Sequence, residues 1–348
     1  MCAFELKWKG MKLNMKETIS IVLVIIGALV GAGFASGQEI FSFFYLYGKN
    51  GIYGIIIMSL LIGILIYKSL KIIYQNEIYN YEDFLKLTIK NEKLRKIICI
   101  IINVLLLISF FIMIAGFGAY FEQEIGINKI IGSIILDLLC AIVFFSNIKG
   151  VLKANDFIVP FLIIFIGIIG FQNMIQINDI ELIKIKNNWF LSTIIYNSYN
   201  FILLMPVLIS LKKQIKKEKN IKYISILSAI IITILSIIIF FLLARADTAE
   251  IIVQEMPIVY IISNYFSNYK KIYAFTILAS IFTTAISVGI GFIQNINKKQ
   301  ESYPQIVLFM CITSLIVSNI GFSKLVNVVY PIFGGIGILQ IIMILCLK

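Results

Sequence analysis

The stretch Gly27–Glu39, GALVGAGFASGQE, decides how this chain is read. It follows the apolar run ISIVLVII (19–26) and precedes the aromatic run IFSFFYLYG (40–48), so the three together form one hydrophobic segment long enough to cross a bilayer. Its middle nevertheless carries Gly27, Gly31, Gly33, Gly37, Ser36, Gln38 and Glu39. Each glycine inside a helix costs about 1 kcal/mol relative to alanine. Within hydrocarbon, backbone without helical pairing is tolerated only where it faces protein or a water-filled cavity. Gly27 and Gly31, four apart, would also suit a close helix–helix seam. A seam leaves Ser36, Gln38 and Glu39 unexplained, so the segment reads as a span with an unwound centre.

The four residues SGQE give that break a second half. Ser36 followed by Glu39 fits a capping box, with Ser36 as N-cap and Glu39 folding back. A helix starting there would direct free N–H groups and the positive end of its dipole into the break, where an anion could bind. Glu39 then has two readings, as a cap of its own helix or as a group that couples to an ion or contacts substrate; intramembrane carboxylates are functional by default.

The rest of the chain sets the class. Its 348 residues are 60% hydrophobic, with a mean hydropathy of +0.98. A soluble domain could not hide that much apolar surface, so the expectation is an all-α polytopic membrane protein. The five cysteines show no paired spacing, and there is no histidine. Disulfide frameworks, zinc sites and histidine proton relays are therefore not expected. No nucleophile–base pair, phosphate loop or transition-metal cluster can be read, which argues against an enzyme. The N-terminal MCAFELKWKGMKLNMK is basic and lacks a small-residue cleavage site after the first span, so that span reads as retained; Met11 and Met15 are alternative starts.

Ten segments qualify as spans: 18–46, 51–74, 97–121, 127–146, 156–176, 189–211, 221–244, 270–295, 304–320 and 325–347. The run AEIIVQEMPIVYIISNY (249–265) is short, carries Glu250 and Glu255 and is interrupted by Pro257, so it reads as a re-entrant or surface segment. Assigning each Lys and Arg to the nearer span end, with the N-terminus inside, puts 22 of the 30 inside and 8 outside. This is the positive-inside asymmetry and places both termini in the cytoplasm. The net charge of +12 is thus a topology and anionic-lipid signal, with no need for nucleic acid. The loop at 79–96 predicts a short helix along the cytoplasmic membrane surface.

The sixth span, WFLSTIIYNSYNFILLMPVLIS, has its own polar centre in Tyr196, Asn197, Ser198, Tyr199 and Asn200, followed by Pro206. Five consecutive polar or amphipathic residues cover more than a helical turn and cannot all face one neighbour. Spans one and six lie five apart in a ten-span chain. A five-span repeat crosses an odd number of times, so its second copy is inverted. Interrupted helices at matching positions of inverted halves point to a mid-membrane substrate site. The expected architecture is a single unit over 1–348, with a first repeat at about 18–176, a second at about 189–347, and helices one and six both broken.

The segments VGAGFASGQEIFSFF, AGFGAYFEQEIG (115–126), YNSYN (196–200) and YPIFGGIG (330–337) resemble the bacterial YkvI-like membrane protein family, within the amino acid–polyamine–organocation group. The resemblance runs over essentially the whole chain and implies the five-plus-five, LeuT-like inverted-repeat fold. SIFTTAIS (280–287) is similar to the sodium-site helix of sodium-coupled relatives. That similarity implies a cation held by the Ser280 carbonyl, the Thr283 and Thr284 hydroxyls, and the carbonyls of Gly27 and Val30. Some proton-driven relatives place a lysine of the fifth span there; this fifth span has none, which favours a real cation.

The function expected is a cation-coupled symporter, using sodium or protons, for a small amino acid or related carboxylate in the bacterial plasma membrane. The substrate site would comprise Gly31, Ala32, Gly33, Phe34, Ser36, Tyr196, Ser198, Tyr199 and Asn200, with the substrate carboxylate on the N–H groups near Gly33–Ser36. Asn103 and Ser109 of the third span could also line it. Asp137, mid-way along the fourth span, reads either as a coupling group or as a carboxyl paired with a polar neighbour such as Asn103. No cofactor beyond bound sodium is expected, and the partners are substrate and lipid. The rival reading is a nutrient-sensing receptor subunit related to spore germinant receptors, which would need partner subunits in place of a driving ion.

Overall fold

The computed structural model describes residues 15–176, 182, 184–254, 256–296, 303–318 and 322–347. The basic segment 1–14 with the alternative start Met11, Glu255 and the NKKQE run at 297–301 lie outside the described residues. The chain is all-helical; a single bridge, Tyr47 to Lys184, is the one strand-like pairing among the described residues.

The helices run in the order α1 (Met15–Leu29), α2 (Ala32–Ala35), α3 (Gln38–Ile40), α4 (Lys49–Gln75), α5 (Tyr81–Lys86), α6 (Glu92–Tyr120), α7 (Lys129–Phe145) and α8 (Asn147–Gln176). They continue with α9 (Trp189–Ser210), α10 (Lys219–Leu243), α11 (Thr248–Ile251), α12 (Pro257–Tyr265), α13 (Lys270–Ile296), α14 (Tyr303–Val317) and α15 (Phe322–Cys346). Among the described residues, six helical segments are long and apolar enough to cross a membrane, namely α4, α6, α8, α9, α10 and Ser267–Ile296; α14 and the Phe333–Cys346 part of α15 are shorter apolar helices. This is a multi-pass membrane protein. Its outer helices carry apolar side chains that only lipid can solvate: on α8, Phe157 is 80% exposed and Phe171 66%.

Local chemistry explains the boundaries. Asn80, Asn91 and Asn128 each accept a backbone N–H at the start of α5, α6 and α7. Asp247 does the same for α11, and Pro257 opens α12 at a first-turn position that needs no N–H. The loop expected to form a surface helix contains α5. The doubtful run 249–265 contains only α11 and α12; nine residues of α12 extend about 14 Å, too short to cross.

The sixth span differs from expectation. Helix α9 is continuous from Trp189 to Ser210, through its polar centre and through Pro206. The reason lies in its own side chains. Asn197 Nδ2 donates to the Thr193 carbonyl at 2.9 Å, Ser198 Oγ to Ile194 at 2.7 Å and Asn200 Nδ2 to Tyr196 at 3.1 Å. The donors of these side chains find carbonyls one turn back, so they do not force the backbone open.

Two helices sit at the centre. Of their apolar windows, 89% of Ser267–Ile296 and 83% of α9 is buried, against 39% for α8. Helix α13 packs on α6 and α8, α9 on α15 and α4, and α1 on α8, α10, α13 and α9. The break in the first span therefore faces protein on several sides, as unpaired backbone at this depth requires.

Candidate functional site

Helix α1 ends where Val30 N donates to the Ile26 carbonyl at 2.8 Å. Gly31 then adopts an extended conformation (φ −90°, ψ −167°), α2 makes one turn, and Gly37 is left-handed at φ +81° before α3 resumes. The first span is thus broken at the glycines. Gly37 also explains why no capping box forms. Ser36 closes α2, with its Oγ donating to the Gly33 carbonyl at 3.2 Å. The residue that precedes α3 is Gly37, and the Ser36 Oγ accepts only a long 3.5 Å bond from Gln38 N, without a reciprocal bond from Glu39 among the described residues. The left-handed turn instead swings Glu39 over Gly33, where a β-carbon would overlap the Glu39 Oε1. Glu39 does not cap its own helix.

Helix α13 seals the other face of the break with hydroxyls. Thr284 Oγ1 donates to the Gly27 carbonyl at 2.8 Å. Ser280 Oγ donates to the Val30 carbonyl and, at 3.2 Å, to that of Gly31. Thr283 Oγ1 donates back to the Ser280 carbonyl at 3.0 Å. All five residues of the expected cation site thus meet in one buried cluster. The donor set consists of neutral carbonyl and hydroxyl oxygens, which suit a hard cation. With no carboxylate among the five, they suit a monovalent cation better than a divalent one. The sequence reading gave Ser280 only a carbonyl role; its hydroxyl is a further contact.

Between α1, α6, α9 and α13 lies a cavity of about 30 Å³, room for about two water molecules. Glu39, Gly31, Ser109, Tyr199, Asn200 and Thr284 supply its polar edge. Ala32, Gly33, Phe34, Ser36, Tyr196 and Ser198, expected at the substrate site, are not among its lining residues. Ser198 faces α15 instead, where a β-carbon on Gly337 would overlap its carbonyl. Tyr196 stands behind the cavity, packed edge-on against Phe43, Phe44 and Tyr199. Of the two third-span candidates, Ser109 lines the cavity, whereas the Asn103 side chain accepts from Asn295.

Asp137 lies apart from this site. It accepts from Ser314 Oγ of α14 at 2.9 Å, so its polar neighbour is Ser314 and not Asn103.

Two contacts had no sequence signal. Tyr273 of α13 donates its hydroxyl to the Ala35 carbonyl. Asn155 of α8, fully buried, aims its Oδ1 at Gly27 while its Nδ2 donates to Val151 at 2.9 Å. Asparagine in a fifth span carries no motif; only the packing of α8 on α1 gives it meaning.

A helix broken at glycines is backed by a helix whose hydroxyls bind its freed carbonyls, in a membrane protein whose fold matches that of a LeuT-like transporter. The structure matches MhsT, solved in complex with L-phenylalanine, with a TM-score of 0.68 over 93% of this chain and 87% of that one, at 16% identity. In sequence the chain is a homologue of the uncharacterised membrane protein YkvI of Bacillus subtilis, at 28% identity over 344 residues, 94% of this chain and 95% of that one. It is also 26% identical to the uncharacterised B. subtilis protein YyaD over 336 residues, 94% of each. No family model matches the chain.

Proposed function

We propose that the protein is a secondary transporter of the bacterial plasma membrane, coupling a monovalent cation to the uptake or exchange of a small amino-acid-like solute. The observation that carries the reading is the meeting of the broken first helix with the Ser280 and Thr284 hydroxyls, with Thr283 bonded to the Ser280 carbonyl beside them. Sodium at those oxygens would link α1 to α13 and so connect ion occupancy to the position of the broken helix. The likeness to MhsT supports the same class.

The ten-span, five-plus-five arrangement has support in the packing. Counting the broken first segment as one span, α1 packs on α9, α4 on α10, α6 on α13 and α7 on α14. Each pair is a span and the span five places later, as an inverted repeat over about 18–176 and 189–347 would produce. Alternating access would then move the bundle containing α1 and α9 against the remaining helices. Cytoplasmic termini follow from the positive-inside asymmetry.

The test is thermal unfolding of the purified protein in sodium against choline, with and without amino acids. Binding to the folded state alone raises the midpoint. A sodium-dependent rise that an amino acid deepens is expected. An amino-acid rise indifferent to sodium would replace sodium coupling by proton coupling or by nutrient sensing.

A further inference from the structure

The cavity between the broken helix and α13 holds one acidic group that no opposite charge balances among the described residues. Glu39 is 7% exposed, and its Oε2 accepts no hydrogen bond among the described residues. The hydroxyls of Tyr199 and Tyr196 are the polar groups beside it. No Lys or Arg lines the cavity, and Glu39 takes part in none of the ion pairs formed among the described residues. A carboxylate held at this depth with two tyrosine hydroxyls beside it but no opposite charge costs several kcal/mol. The remaining walls are Ala28, Leu29, Ile112, Met113, Leu203 and Val288, whose apolar side chains offer nothing to an anion.

We propose that Glu39 is the ammonium anchor of the substrate site, so that the transported solute carries an amine beside a short apolar chain, and a carboxylate lacking an amine is rejected. This deepens the transporter reading and rests on it. The cavity of about 30 Å³ matches a charged headgroup and no more. The apolar chain needs Met113 and Leu203 to move aside, and methionine has the torsional freedom to do so. Gly33 serves the anchor, since any β-carbon there would push the carboxylate away. The expected site thus changes in polarity. A substrate carboxylate near Gly33 would lie against the Glu39 carboxylate, whereas an ammonium would be drawn to it. Thr284 borders the same cavity as Glu39, so a cation at the hydroxyl cluster would sit across it from the ammonium.

The decisive experiment compares three ligands of one carbon skeleton on the full-length protein: L-valine, isobutylamine, which lacks the carboxylate, and isovalerate, which lacks the amine. Binding is read by thermal shift and calorimetry in sodium and in choline, for wild type and for Glu39→Gln. Valine and isobutylamine should bind wild type, and isovalerate should not. The isosteric Glu39→Gln should weaken both amines about 10- to 100-fold, the worth of a hydrogen bond to a charged group. Isovalerate binding as tightly as valine would overturn the proposal, and that comparison needs no variant. Unchanged amine affinity in Glu39→Gln would overturn it equally. A sodium-dependent rise with none of the three ligands binding would sink the amine anchor and leave the coupled transporter standing. No response to sodium or to any ligand would count against both.

Discussion

The Oε1 of Glu39 lies over the α-carbon of Gly33, in the space a β-carbon would occupy. This contact joins the two halves of the interrupted first span and fixes where Glu39, the one acidic group lining the cavity among the described residues, points. It makes Gly33 a position at which one methyl group should change ligand binding. Gly33→Ala is expected to displace the carboxylate and reduce affinity for any amine at least tenfold. Overpacking of this kind costs about 1–3 kcal/mol. Paired calorimetry and thermal unfolding check the prediction; full affinity in a folded Gly33→Ala protein would detach the contact from the site.

Thr284 tests the cation cluster. Its hydroxyl satisfies the Gly27 carbonyl at 2.8 Å. Thr284→Ala leaves that carbonyl unpaired at a cost of about 1–3 kcal/mol and should remove most of the sodium-dependent rise in unfolding midpoint. Thr284→Ser keeps the hydroxyl and should keep the sodium response. Equal sodium responses in the two variants would dissociate the cluster from ion binding.

Gly27 and Asn155 should be coupled. A β-carbon at Gly27 would overlap the Asn155 Oδ1 and press on Val159. Gly27→Ala is expected to destabilise by about 1–3 kcal/mol. Asn155→Ala makes room, so the double variant should recover part of that loss. Contacting residues commonly show coupling of about 0.5–3 kcal/mol. Strict additivity in a double-mutant cycle would show that the two side chains do not meet.

At the basic end of the bundle, Lys212 donates to Glu77 and, at 2.9 Å, to the Tyr79 hydroxyl, with its ammonium 4.5 Å from the Tyr79 ring centre. These bonds, from Lys212 first and Tyr79 second, hold the Glu77 carboxyl below its ordinary value of 4.5. A carboxyl depressed in the folded state adds stability that is complete above its unfolded value and lost as pH falls through the lower folded one. The unfolding midpoint should therefore fall on acidification below about pH 4.5, and Lys212→Met should flatten that part of the profile. An unchanged profile would mean that other carboxyls govern acid stability.

Asp137 gives the contrasting prediction. Its bond to Ser314 ties α7 to α14, away from the cavity. Asp137→Asn preserves an acceptor for Ser314 and should leave sodium and ligand responses as in wild type. Loss of the sodium response in a folded Asp137→Asn protein would give this carboxyl a coupling role.

Hydrophobic run length and lysine placement were enough to read a multi-pass helical protein, because the bilayer demands a fixed apolar length and penalises charge on one side. The glycines of Gly27–Glu39 were enough to locate the break, since hydrocarbon does not forgive a weak helix without a reason. The resemblance of SIFTTAIS pointed to the Thr284 hydroxyl that meets Gly27, but not to the Ser280 hydroxyl that meets Val30. What the residues could not reveal was direction. Ser36 and Glu39 have the spacing of a cap, yet the left-handed Gly37 between them turns the carboxylate onto Gly33. The YNSYN run has the polarity of a break, yet Asn197, Ser198 and Asn200 bond to carbonyls of their own helix, which stays whole. Asn155 acquires meaning only where α8 crosses α1. Composition and periodicity determine which segments enter the membrane; where a polar side chain finds its partner depends on backbone dihedrals and helix crossings, and only the tertiary structure decides those.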